Sequence, residues 1–93
     1  MMMINPYFAN VIFNLANKLS RRNIPHTINV FRDGLQIQFP WNYGNFVCHG
    51  ASCGHGVGAV ESMDCPWDEG GVTCLTVNEA FEKIVAWYTE SEF

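Results

Sequence analysis

Apolar residues recur at three- and four-residue spacing through Phe8, Val11, Ile12, Leu15 and Leu19, which predicts a helix with one buried stripe. Asn5-Pro6 sits at its start. Asparagine caps a helix N-terminus well, and proline at the first helical position forfeits no hydrogen bond. Lys18, Arg21 and Arg22 suit the last turn, Asn23 can close it, and Pro25 stops its continuation. From His26 to Phe39 the period changes to two. Asp33-Gly34 reads as a two-residue hairpin turn. The alternation sends Ile28, Val30, Leu35, Ile37 and Phe39 to the core and Thr27, Asn29, Gln36 and Gln38 away from it. Pro40 ends the second strand, and the stretch from Trp41 to Asn45 reads as a turn.

Phe46 to His49 predicts a third strand, Gly50 to Gly56 a loop, and Gly58 to Met63 a fourth strand. An acidic, glycine-containing loop follows over Asp64 to Gly71, and Val72 to Leu75 reads as a short strand or an extended lead-in. Thr76-Val77-Asn78-Glu79 is a capping box, in which hydroxyl and carboxylate each take a backbone N–H. Ala80, Phe81, Ile84, Val85 and Tyr88 make the apolar stripe of a closing helix. The expected fold is therefore α+β, in one domain over residues 1–93. An antiparallel sheet of three or four strands carries an N-terminal and a C-terminal helix on one face, in the order α-β-β-β-β-α.

Charge narrows the range of partners. The chain has five basic residues and a formal net charge of −4, too small a basic field to hold nucleic acid through its phosphates. A partner with a basic surface fits better. No apolar run approaches the roughly 20 residues of a membrane span, and the first residues lack the basic start and cleavage site of a secretory signal. A cytoplasmic location is expected, where four cysteines are thiols or metal ligands more often than disulfides. Aromatics reach 14% with three tryptophans, more than a small core readily hides.

The chemistry-bearing residues concentrate between Cys48 and Cys74. Cys48, Cys53, His55 and Cys65 are the candidate metal ligands, and zinc is the ion that such a set would hold. Their spacing contains no C-x2-C knuckle, and buried strand cysteines would account equally well for Cys48 and Cys74. Cys53 near His55 is the pair that could form a thiolate and its base in a thiol enzyme or redox sensor. A loop rich in glycine would instead place both histidines as backbone partners. The loop lacks the G-K-[ST] ending of a phosphate-binding loop.

The stretch Val47-Cys48-His49-Gly50-Ala51-Ser52-Cys53-Gly54-His55-Gly56-Val57-Gly58-Ala59-Val60-Glu61-Ser62-Met63 resembles one in small uncharacterised phage and prophage proteins, V-C-H-x-x-S-x-G-H-x-x-G-x-x-E-x-M. Leu75 to Ile84 resembles their L-T-A-E-E-V-x-x-x-I. The matching positions are Cys48, His49, Ser52, Gly54, His55 and Glu61. An aromatic often stands there in place of Cys53, and Cys65 and Cys74 have no counterpart, which counts against a four-cysteine zinc site. The resemblance implies an accessory factor and gives no residue a role.

With no catalytic set and no cofactor expected, the leading function is a protein–protein interaction module of phage or prophage type. An inhibitor of a host nucleic-acid-binding enzyme, anti-CRISPR-like, is one form it would take. Trp41, Tyr43 and Trp67 would be exposed anchors, with Asp68 and Glu69 steering toward a basic surface. On this reading, loss of the Trp67 side chain removes binding and spares the fold. A zinc-stabilised module and a thiol enzyme are the rivals, and both monomer and homodimer fit the chain.

Overall fold

A computed structural model describes residues 3–54 and 57–91. Helix α1 spans Pro6–Arg21 and is followed by strands β1 (Thr27–Phe31), β2 (Gly34–Phe39), β3 (Asn42–Cys48), β4 (Ala59–Met63) and β5 (Val72–Thr76), then helix α2 (Val77–Ser91). The strands form one antiparallel meander in sequence order, with β1 and β5 at its edges. The α+β class holds, with five strands where three or four were expected. Val72–Thr76 is a full partner of β4, from Ala59↔Thr76 to Met63↔Val72.

The caps explain where the helices begin and end. The Asn5 side chain accepts from the Tyr7 N–H at 2.9 Å. At the other end of α1, Asn23 takes φ +57. The Asn23 N–H then reaches the Ser20 carbonyl, and the Ile24 N–H reaches that of Leu19. This is a Schellman closure, with Ile24 buried behind it. At α2 the Thr76 N–H donates to Glu79 at 2.8 Å, and the Glu79 N–H donates back to the Thr76 hydroxyl at 3.1 Å. Hydrogen bonds to its carboxylate from the Thr76 backbone and side chain hold the Glu79 carboxyl below its ordinary pKa.

The hairpin differs from its sequence reading by one residue. The turn is Arg32-Asp33, Arg32 takes φ +54, and Phe31 pairs with Gly34. Gly34 is a glycine because of what lies beside it: a Cβ there would stand 1.8 Å from the Cys48 carbonyl oxygen. The slip preserves facing, so Leu35, Ile37 and Phe39 still enter the core. Ile28 and Val30 point the same way but remain exposed.

Both helices lie on one face of the sheet, with α1 mainly over β2 and β3 and α2 over β4 and β5. Ile12, Leu15, Leu19, Ile37, Phe46, Val60 and Ile84 are completely or almost completely enclosed. The core stripe of α2 is Ala80, Ile84 and Trp87, with Phe81, Val85 and Tyr88 packed at its margin. The opposite face is polar and paired within itself. Asn29 donates to Gln38, Gln36 donates to Asn45, and Asn45 donates to the Tyr43 and Met63 carbonyls.

Candidate functional site

The cysteine and histidine cluster divides across the sheet. Cys48 lies opposite Leu35 and faces the helices. Cys65, in the β4–β5 loop, is buried on the same side. Burial, and then Asp33, pushes the Cys48 thiol from 9.0 to about 11. Burial and the neighbouring Asp68 push the Cys65 thiol up further. Both are protonated at neutral pH, and neither is a poised nucleophile.

Cys53 and Cys74 occupy the other face and form a disulfide across 21 residues, with their Cα atoms 5.9 Å apart. Cys74 pairs in register with Glu61, and the Glu61 carboxylate accepts from the Cys53 N–H at 3.2 Å. The β3–β4 loop thus folds back across β4 and is fastened to the edge strand. Val47, also in register with Glu61, is fully buried on that face. Sequence reading expected thiols or metal ligands, but the return of the loop over the sheet is a spatial fact that spacing does not carry. Of the candidate ligands, Cys48 and Cys65 are in the core and Cys53 is in the disulfide, while His55 lies outside the described residues. Among the described residues no group of three or more His, Cys, Asp or Glu side chains is arranged to hold a metal.

His49 serves the loop backbone. Its N–H donates to the Ser52 hydroxyl, its Nδ1 accepts from the Ala51 N–H at 3.2 Å, and its ring packs on Phe31. An accepting Nδ1 leaves the proton of the neutral ring on Nε2.

The expected interface anchors separate into three kinds. Trp41 and Trp67 are half-buried parts of an aromatic cluster. Trp87 meets Trp41 at 5.1 Å and Trp67 at 5.5 Å, and Phe39 meets Trp41 at 4.7 Å. Gly44 opens the space for it, since a Cβ there would lie 2.7 Å from both Trp87 and the Cys65 sulfur. Asp68 is buried. It accepts from the Ser62 hydroxyl, the Cys65 N–H and the Thr73 hydroxyl, while Trp67 Nε1 donates to Ser62. The exposure that sequence reading gave to Trp41, Trp67 and Asp68 is therefore corrected. Tyr43 and Glu69 are exposed. Tyr43, 93% exposed, borders a groove of about 710 Å³ with Pro25, His26, Pro40 and Trp41.

The topology also sorts the charges, which sequence reading did not draw out. The first 60 residues hold Lys18, Arg21, Arg22 and Arg32 with one acid, Asp33. Residues 61–93 hold the other eight of the nine acids and one base, Lys83. Because the meander keeps sequence order, the acids collect on the side of β5 and α2, Arg32 lies at the β1–β2 turn, and Lys18 and Arg21 reach from α1 toward α2. Asp64, Glu69, Glu82 and Glu90 are exposed there. The β4–β5 loop meets α2 where the Lys83 ammonium lies over the Trp67 ring at 5.1 Å. Comparison with protein-family models, curated proteins and solved structures finds no match for the chain. No helix among the described residues is long and apolar enough to cross a membrane.

Proposed function

We propose that the protein is an interaction module, an accessory factor of phage or prophage type that acts by occupying the surface of another protein. Its acidic side, the β4–β5 loop with α2, is the face directed at the partner. A basic surface, such as that of a nucleic-acid-binding enzyme, is the complement that this face fits. The observation that carries the reading is the charge sorting: nearly all acids fall in the last third of the chain, and the fold collects them on one side. Such a field raises encounter rates and suppresses partners of like charge. Tyr43 and Glu69 remain contact candidates, whereas Trp41, Trp67 and Asp68 support the surface from beneath.

The test is in-cell cross-linking with the tagged protein and a variant carrying Asp64→Asn, Glu69→Gln and Glu82→Gln. All three positions are exposed, so the fold is kept. The expected result is a nucleic-acid-binding protein recovered with the wild type and lost with the variant. The purified pair should weaken as salt rises. Identical recovery with both forms, or no partner above the tag control, would refute the reading.

A further inference from the structure

We propose that the free edge of β1 is a separate docking site for an extended segment of another protein, apolar at alternate positions and acidic at both ends. It does not depend on the acidic side. β1 is paired on one side only, and Thr27 to Val30 are all exposed. Phe31 and Gly34 close the two-residue turn, and antiparallel pairs alternate between bonded and non-bonded types. The N–H and C=O groups of Ile28 and Val30 are therefore the ones that point away from β2.

The usual protections of an edge are absent here. β1 contains no charged residue and no proline, and its register with β2 is unbroken from Thr27↔Gln38 to Phe31↔Gly34.

The side chains add specificity. Ile28 and Val30 lie on the helix side of the sheet, 37% and 66% exposed. At 3.6 residues per turn, Phe13 falls on the flank of α1 away from Lys18. Lys18 faces α2, its ammonium over the Phe81 ring. Phe13, 46% exposed, thus stands on the flank toward β1. Residues facing each other across a strand pair share a side, so an added strand would place alternate apolar residues opposite Ile28 and Val30.

Charge decides between occupants. Arg22 precedes β1 and Arg32 follows it, both exposed, whereas Arg21 borders a groove with Thr76, Val77 and Asn78 on the other flank of α1. Asp33 keeps its charge but is turned from the open edge, its carboxylate accepting from the Gly50 N–H at 2.8 Å past the end of β3. A second copy paired antiparallel about Asn29 would bring Arg32 toward the end that carries His26 and Arg22. Like charges would meet, whereas acidic flanks would be attracted at both ends.

The test uses the full chain and a short fluorescent peptide with two alternate valines between paired aspartates. A control peptide has lysines in place of the aspartates. The aspartate peptide is expected to saturate, with the lysine peptide weaker by about tenfold or more. Val30→Pro removes only an outward N–H and is expected to weaken binding by a similar factor, with circular dichroism unchanged. Ile28→Glu, at an exposed position, repels the acidic peptide without reaching the core and decides the matter should the proline disturb the hairpin. Equal affinity for both peptides, no saturable binding, or full binding by Ile28→Glu would overturn the proposal. A dimer dissociated by Ile28→Glu in sedimentation equilibrium would overturn it in favour of a second copy.

Discussion

Asp68 sits in an acidic loop yet has only 7% of its surface exposed. Its Oδ1 accepts from the Ser62 and Thr73 hydroxyls, and its Oδ2 accepts from the Cys65 N–H at 3.0 Å. Ser62 and Thr73 face each other on β4 and β5, so this one carboxylate ties the loop to both strands. Ser62 in turn accepts from Trp67 Nε1 at 2.9 Å, which orients the tryptophan in the core. Asp68→Asn is nearly isosteric but cannot satisfy all three donors. With its oxygen toward the hydroxyls, its amide nitrogen faces the Cys65 N–H, and two donors confront each other. Hydrogen bonds to charged groups contribute about 1.5–3 kcal/mol, and a buried donor left unpaired costs about 1–3 kcal/mol. The expected loss is therefore about 2–4 kcal/mol. In a domain of this size each kcal/mol moves Tm by roughly 4–8 °C, so a fall of about 10–30 °C is expected. Asp68→Ala should lose at least as much. Glu69→Gln, next in the chain and exposed, should stay within about 0.5 kcal/mol. Urea and thermal unfolding of the three variants check this. An Asp68→Asn protein within about 1 kcal/mol of wild type would refute the account of Asp68 as an internal tether and restore it as a surface charge.

Reduction of the Cys53–Cys74 disulfide should lower unfolding free energy by about 3 kcal/mol, the chain-entropy value for a loop near 20 residues. Urea titrations with and without dithiothreitol measure it, and alkylation of four thiols in the unreduced native protein would contradict the pairing. The Cys48 thiol, held up to about 11, makes stability complete below pH 9 and lost progressively as pH rises toward 11. There the unfolded chain gives up a proton that the folded chain keeps. Thiolate absorbance of the reduced protein should accordingly lag behind that of an unfolded control. Gly34→Ala forces a Cβ against the Cys48 carbonyl oxygen and should cost about 3 kcal/mol or more. Gly70→Ala, with open space but φ +84, should cost about 1 kcal/mol. Trp67→Ala should destabilise by about 2–3 kcal/mol, since it removes a half-buried ring packed on the core, while Tyr43→Ala leaves Tm unchanged. Retention of full stability by the Trp67 variant would return that residue to the surface.

Local signals carried the helix boundaries. Asn5-Pro6, Asn23 before Pro25, and Thr76 with Glu79 act over a few residues, and each cap forms as the sequence implies. The hairpin was legible except for its register. Asp33-Gly34 has the composition of a turn, but the need for a glycine opposite β3 is a long-range condition. β5 was half-visible because Leu75 is its one buried residue, too little for a period. Exposure of the tryptophans was misread for a similar reason. Trp41 and Trp67 lie in segments with turn composition, yet Gly44, Trp87 and Ser62 make a place for them inside. The Asp68 tether had a signal in the facing hydroxyls of Ser62 and Thr73, readable only once β4 and β5 are known to pair.

The two edges of the sheet are treated in opposite ways, and this difference bears on how the molecule works. β5 runs directly into α2, carries the β3–β4 loop fastened to Cys74, and lies on the side where the acids collect. An incoming strand there meets a covalent strap and like charge. Among the described residues β1 has no strap and no internal charge, and it leaves Ile28 and Val30 exposed. Exposed sheet edges invite uncontrolled pairing and are ordinarily blunted. Here β5 carries a disulfide-fastened loop on one face and lies among acids, while β1 is exposed beside arginines, so the proposed pairing would favour β1 and strands of acidic charge. On the proposed role as an interaction module, that asymmetry would keep two surfaces apart. The acidic face and the open edge lie on opposite sides of the sheet and can be engaged without competing.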